Sequence, residues 1–192
     1  MRYDVLEARV IGVARRELGP AFAEALRIAG AQKALIVCGA EELDEVSCAG
    51  KTYCWLVLGS SPDPKDITIE HFTVEPADFG LEAHALSTVS SGKEPSENAE
   101  ILHKILHNEL PDDHPLLHFV LMNTAALFVI SGICEADQSA MGPGDDGAVI
   151  AERGPGGQRW KEGVRRARWA LKSGEAWKQW EGFVEITNEL AA

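Results

Sequence analysis

The chain has 192 residues, of which 45% are hydrophobic, and it carries a formal net charge of −12. That length and apolar content suit one globular domain with a proper core. The charge argues against a general nucleic-acid binder, whose affinity rests on Lys and Arg meeting phosphates, but leaves room for a phosphate held locally by a metal ion or a few cationic side chains.

In chain order, "LEARVIGVA" (6–14) reads as a short strand. "ELGPAFAEALRIAG" (17–30) reads as a helix with Phe22, Ala25, Leu26 and Ala29 at helical spacing and Gly30 as its stop. "KALIVCG" (33–39) is an unbroken apolar run ending in glycine, the pattern of a strand buried on both faces. Strand, helix and strand over this distance make a βαβ unit. "YCWLVL" (53–58) and "ITIEHFTV" (67–74) read as two further strands, and the turn-forming "GSSPDPKD" between them predicts an antiparallel hairpin. "EPADFGL" (75–81) reads as one helical turn stopped by Gly80.

From Pro95 the pattern turns helical. In "PSENAEILHKILHNEL" the residues Ile101, Leu102, Ile105 and Leu106 form one face. "LLHFVLMNTAALFVISGIC" (116–134) is almost wholly apolar. Its polar interruptions at His118 and Asn123 and its stop at Gly132 indicate a buried core helix rather than a membrane span. Residues 137–157 carry six glycines and read as a long loop. Two helices close the chain, one lined by Trp160, Val164, Ala167 and Leu171, the other by Trp177, Trp180 and Val184, with Ser173-Gly174 between them.

The four cysteines lack a framework spacing, and the N-terminal "MRYDVLEARV" lacks the apolar stretch of a signal peptide. Both features suit reduced thiols in a cytoplasmic protein. Asp44 and Glu45 sit side by side just beyond the strand at 33–39. Ligands of open α/β sheets gather at the carboxyl ends of strands, and Mg²⁺ is commonly held by one or two carboxylates plus substrate phosphates. Taken alone, the dipeptide reads more readily as an acidic surface loop in which Asp44 caps a turn. His103/His107 and His114/His118 have the i, i+4 spacing that can support zinc. No H-E-x-x-H accompanies them, and the first pair falls on the solvent side of its helix. "GPGGQRWKEG" (154–163) lacks a phosphate-loop pattern and reads as a flexible connection. Residues 151–180 hold eight Lys/Arg and three Asp/Glu, which reads as an amphipathic helix with a solvated basic face rather than an RNA contact.

The succession "LEARVIGVARRELGPAFAEALRIAGAQKALIVCGAEELDEVSCAGKTYCWLV", "VEPADFGL", "SENAEIL", "MNTAALFV" and "GVRRARWALKSGEAW" resembles the C-terminal half of anthranilate phosphoribosyltransferase. The likeness runs from about Leu6 to about Val184, and "CGAEELDEVSCAG" and "GPGGQRWKEGVRRARWA" look most like the fungal members. The resemblance implies a single α/β domain over 1–192 with a mixed, mostly parallel sheet flanked by helices, similar to the C-terminal part of the glycosyltransferase family 3 fold. It implies transfer of phosphoribosyl from phosphoribosyl pyrophosphate to anthranilate in tryptophan biosynthesis. In that family the Asp-Glu of the "LDE-x-S" motif binds Mg²⁺ on the diphosphate, which carries over to Asp44 and Glu45. Ser47 belongs to the same motif, either touching substrate or making a turn hydrogen bond. No side chain stands out as a general base.

The family's glycine-rich diphosphate loop, its Lys-His-Gly-Asn stretch, its anthranilate-binding arginine and its dimer-forming helices lie upstream of the matching region. The resemblance therefore implies a domain truncated on its N-terminal side and inactive alone, whose partners are a separate N-terminal half or a second copy, with neither nucleic acid nor membrane involved. Two alternatives stay open. One is a non-catalytic remnant or interaction subunit that docks through the apolar helix 17–29. The other is a different phosphoribosyl or nucleoside transferase of the same fold.

Overall fold

The computed structural model describes residues 8–89 and 94–191. Strand β1 (Arg9–Gly12) leads through helix α1 (Leu18–Ile28) to β2 (Lys33–Gly39). β3 (Thr52–Gly59) and β4 (Ile67–Val74) follow, then α2 (Pro95–Leu106), α3 (Pro115–Ser131), α4 (Trp160–Lys172) and α5 (Glu175–Ala191). Leu6 and Glu7, the start of the expected first strand, lie outside the described residues.

The sheet order is β1-β2-β3-β4. β1 and β2 pair in parallel, Val10 opposite Leu35, as a βαβ unit requires. The mixed α/β class holds, but the parallel share is smaller than expected, because both remaining pairs are antiparallel. The reason is local. Ala40 N–H donates to Lys51 C=O at 2.9 Å, so the chain turns straight back after β2 instead of crossing over through a helix. The β3–β4 hairpin forms as its turn sequence predicts, with Trp55 opposite His71.

Alternation in β2 builds two cores. Ala34, Ile36 and Cys38 pack with Trp55, Val57, Ala23 and Leu26 under α1. Leu35 and Val37 face the other way, into a core with Cys54, Leu56, Met122, Ala126, Trp160 and Val164. At roughly 25 cal/mol per Å² of apolar surface, these buried side chains are the main source of stability. α3 is the central helix of the second layer, buried by eight residues including Leu121, Met122 and Ala125. It stops at Gly132, whose φ is 89°. Among the described residues no helix is long and apolar enough to cross a membrane.

Of the residues expected to line helix α1, only Leu26 is buried. Gly19, Ala23 and Leu26 are buried, while Phe22 is 42% and Ile28 63% exposed. All four residues expected to line α4 are buried. On α5, by contrast, Trp180 and Val184 stay exposed. His103 and His107 are exposed yet not merely solvated, since their rings stack at 3.9 Å and pack on Trp177. The basic stretch 151–180 keeps an exposed face at Arg153, Lys172 and Lys178, but most of its cations are also paired. Arg153 bonds Glu135, Lys161 bonds Glu152, Arg168 bonds Asp112, and Arg166 is buried against Glu162. "GPGGQRW" is packed as well, with the Trp160 indole N–H donating to Pro155 C=O at 3.0 Å.

Candidate metal–diphosphate site

Residues 40–51 form a loop at the carboxyl end of the parallel pair β1–β2. Its first turn is closed by Gly39 N–H donating to Leu43 C=O at 2.7 Å, with Glu42 in the left-handed region at φ 64°. The loop folds back over the end of β1 so closely that a Cβ on Gly12 would lie 1.6 Å from Asp44 O. Only glycine fits there. The two strand ends thus present Asp44 and Glu45 together.

Both residues are exposed, and among the described residues no hydrogen bond or ion pair reaches either carboxylate. Partial burial, and then the adjacent Asp44 charge, raise the Glu45 pKa above its ordinary value. The surroundings are strongly acidic. Burial, and then the charges of Glu42, Glu17, Asp44 and Glu41, raise the Cys38 thiol. No cluster of three or more His, Cys, Asp or Glu around one metal position occurs among the described residues. Two bare, adjacent oxygen donors without a closed cage match a hard cation that takes its remaining ligands from water and phosphate.

Ser47 lies in this loop but not on its surface. It is fully buried; its hydroxyl contacts the Glu41 carboxylate and accepts from Ala49 N–H at 3.0 Å. Its own N–H donates to Thr52 Oγ1 at 2.9 Å. These are turn-forming bonds. The other histidine pair does not form as a unit: His114 caps α3, accepting from Leu116 N–H, while His118 is buried and bonded to His84.

Sequence reasoning passed over the residues that hold the loop from inside. Asn123, which registers in the sequence only as an interruption of an apolar helix, bonds the Val46 backbone across 77 positions. His84 N–H donates to Cys48 C=O at 2.8 Å. No local spacing signals either contact.

Residues 4–177 match the glycosyl transferase family a/b domain. The chain is 38% identical to the anthranilate phosphoribosyltransferase of Schizosaccharomyces pombe over 95% of its length and 43% of that protein's. With the enzyme of Saccharomyces cerevisiae the identity is 33%, covering 95% of this chain and 42% of that one. The structure of the S. cerevisiae enzyme in complex with PRPP and Mg superposes with a TM-score of 0.72, at 34% identity, over 95% of this chain and 43% of that chain. A Ser121Ala variant of the same enzyme, with Mg bound, gives 0.71 at 34% identity over 93% of this chain and 42% of that chain. The chain thus spans somewhat less than half the length of these relatives. The fold and the sequence agree, and the chain belongs to the glycosyl transferase family as an a/b domain.

Proposed function

We propose that this chain is the metal-binding part of an anthranilate phosphoribosyltransferase. In that reaction the anthranilate amine forms a bond to C1′ of phosphoribosyl pyrophosphate. The bond from C1′ to the diphosphate oxygen breaks, the amine loses a proton, and pyrophosphate leaves with the electron pair. The observation that carries the reading is the bare Asp44–Glu45 pair at the carboxyl end of β1–β2, in a domain whose relatives include an enzyme solved with PRPP and Mg. When bound, Mg²⁺ offsets charge on the leaving diphosphate. Asp44 and Glu45 would hold it, and the loop backbone would keep both carboxylates on one side of the sheet end. Ser47, bound to Glu41, keeps the loop's shape rather than touching substrate. We assign no general base. Four buried free cysteines suit a cytoplasmic, reducing setting.

Titration of phosphoribosyl pyrophosphate into the chain, followed by calorimetry with and without Mg²⁺, tests the reading. Binding should depend on Mg²⁺ and be lost in Asp44→Asn/Glu45→Gln; unchanged affinity in the double variant would sink it. Turnover is a separate matter. Holding both substrates together accounts for about 7–11 kcal/mol of such a barrier, and the chain spans only about 43% of its relatives. We expect no phosphoribosyl anthranilate from the chain alone, and activity on mixing with a separate N-terminal half.

A second reading, an interaction subunit, is favoured by the outward apolar side chains of α1, chiefly Phe22 and Ile28. A chain that stays monomeric at high concentration, and that no N-terminal half retains, would exclude it.

A further inference from the structure

Asn123 is an amide in the middle of a helix otherwise made of apolar side chains. Such a group is unfavourable in a core unless its hydrogen-bonding capacity is met. Here it is met. Oδ1 accepts from Val46 N–H at 2.9 Å, and Nδ2 donates to Val46 C=O at 3.1 Å and to Phe119 C=O at 3.0 Å. The first two bonds close on both backbone groups of one residue, as a neighbouring strand would. That residue directly follows Glu45. The Val46 side chain is 1% exposed and belongs to the core beneath α3. Val46 is therefore fixed by its side chain and by both peptide groups, and the two carboxylates before it have little freedom to drift.

A second tether comes from the same helix. Cys48 C=O accepts from His84 N–H, and His84 Nε2 lies 2.8 Å from His118 Nδ1. His118 Nε2 lies 2.9 Å from Asp112 C=O. A carbonyl can only accept, so His118 carries a proton on Nε2; when its ring is neutral, Nδ1 accepts and His84 Nε2–H donates. Helix α3 thus grips the loop on both sides of Ser47, directly at Val46 and through a histidine pair at Cys48. Only the Val46 grip is adjacent to the carboxylates.

We infer that Asn123 is a positioning residue, which fixes the Val46 peptide and so aims Asp44 and Glu45 at one divalent cation carried on a diphosphate. The inference rests on the proposed metal role of that pair. Asn123→Ser isolates it. A serine in a helix bonds the carbonyl four residues back, here Phe119 C=O, but cannot span both groups of Val46. Asn123→Thr does the same with a different side-chain volume, in case the serine variant folds poorly.

The experiment uses the ¹⁵N-labelled chain, Mn²⁺ and inorganic pyrophosphate, and reads paramagnetic broadening of amide signals together with amide hydrogen exchange. Wild type should show saturable broadening centred on residues 43–47. Asn123→Ser should bind Mn²⁺–pyrophosphate about 10–100-fold more weakly, the usual effect of losing a group that orients a metal ligand. Its Val46 N–H should exchange faster, while core amides of β2 and β3 keep their protection. If Asp44→Asn/Glu45→Gln abolishes broadening but both Asn123 variants bind like wild type, the positioning role is overturned and the metal role stands. If the Asp44/Glu45 double variant binds like wild type, or wild type shows no saturable broadening, the metal role fails and takes this inference with it.

Discussion

Two loops of this molecule are rich in acid, yet Asp145 in one and the Asp44–Glu45 pair in the other are treated in opposite ways. In loop 137–157 every oxygen of Asp145 is used. It accepts from Ser139 Oγ at 2.5 Å, from the N–H groups of Met141 and Gly147, and from Arg165. Glu162, on which that loop rests, accepts from Ile150 N–H, from Arg165 and from buried Arg166. In loop 40–51 the backbone is held by hydrogen bonds to Asn123, Thr52 and Lys51. There, no described residue bonds the carboxylates of Asp44 and Glu45. A buried carboxylate must be paired to be tolerated. One left unpaired on a rigid loop is free to take a ligand from outside. The difference separates acids that hold the fold from acids that the fold holds out.

The comparison breaks most visibly at Glu162. Removing one partner of a buried ion pair costs roughly 3–5 kcal/mol, because the other charge is left stranded. Glu162→Ala strands Arg166, which is 2% exposed, and frees the Ile150 end of the loop. We expect a loss of that size in urea unfolding, with faster exchange across 139–150. A change of less than about 1 kcal/mol would mean the loop does not depend on the pair. Gly12→Ala should follow at about 1–3 kcal/mol, the range for overpacking, because its Cβ would overlap Asp44 O. Amide shifts should then move in 43–47 and not in 139–150.

Much of this was legible beforehand, for physical reasons. The βαβ unit follows from an unbroken apolar run after an amphipathic segment, the hairpin from its turn residues, and α4 from a stripe of large side chains. What escaped depends on close approach and long-range bonding. Periodicity picks large residues, so it chose Phe22; α1 instead seats its small face on Trp55, where a Cβ on Gly19 would lie 2.4 Å from the ring. The antiparallel majority escaped because a run buried on both faces does not reveal the direction of its neighbour. The carboxylate pair was visible as a motif. Asn123 was not, since its partner is 77 positions away.

Acid titration sharpens the comparison by sign. The Ser139 hydroxyl first, and then the Met141 N–H, hold Asp145 well below the usual carboxylate range. Burial pushes Glu162 up, but Arg165, the Ile150 N–H and Arg166 outweigh it, and its pKa is lowered. For both, the stabilisation is present above the ordinary values of 3.8 and 4.5 and is lost as pH falls through the lowered folded values. Glu45 runs the other way. With its folded pKa raised, its contribution is complete below 4.5 and is lost as pH rises through the higher folded value. Urea midpoints from about pH 3 to 6 should therefore show a shallower acid limb in Asp145→Asn and a smaller fall above 4.5 in Glu45→Gln. Identical curves for wild type and both variants would remove the distinction.

The smallest expected effect is also the most telling. Asp44→Asn with Glu45→Gln should leave stability within about 0.5 kcal/mol of wild type, the usual range for surface changes, and any shift should be a gain. Among the described residues the side chains have no partner to lose. They are adjacent like charges on a chain of net charge −12, and the raised Glu45 pKa means that its ionised form is disfavoured where it stands. Neutralising them relieves that repulsion and leaves the Asn123, Thr52 and Lys51 bonds untouched, because those bonds are made to backbone groups and not to the carboxylates. A thermal or urea midpoint equal to or slightly above wild type, together with lost Mg²⁺-dependent binding, would mark the pair as groups kept for a ligand at the fold's expense. A loss of 2 kcal/mol or more, by roughly the measure of a structural acid, would place them with Glu162 instead, and the bare appearance of loop 40–51 would then need a partner outside residues 8–89 and 94–191.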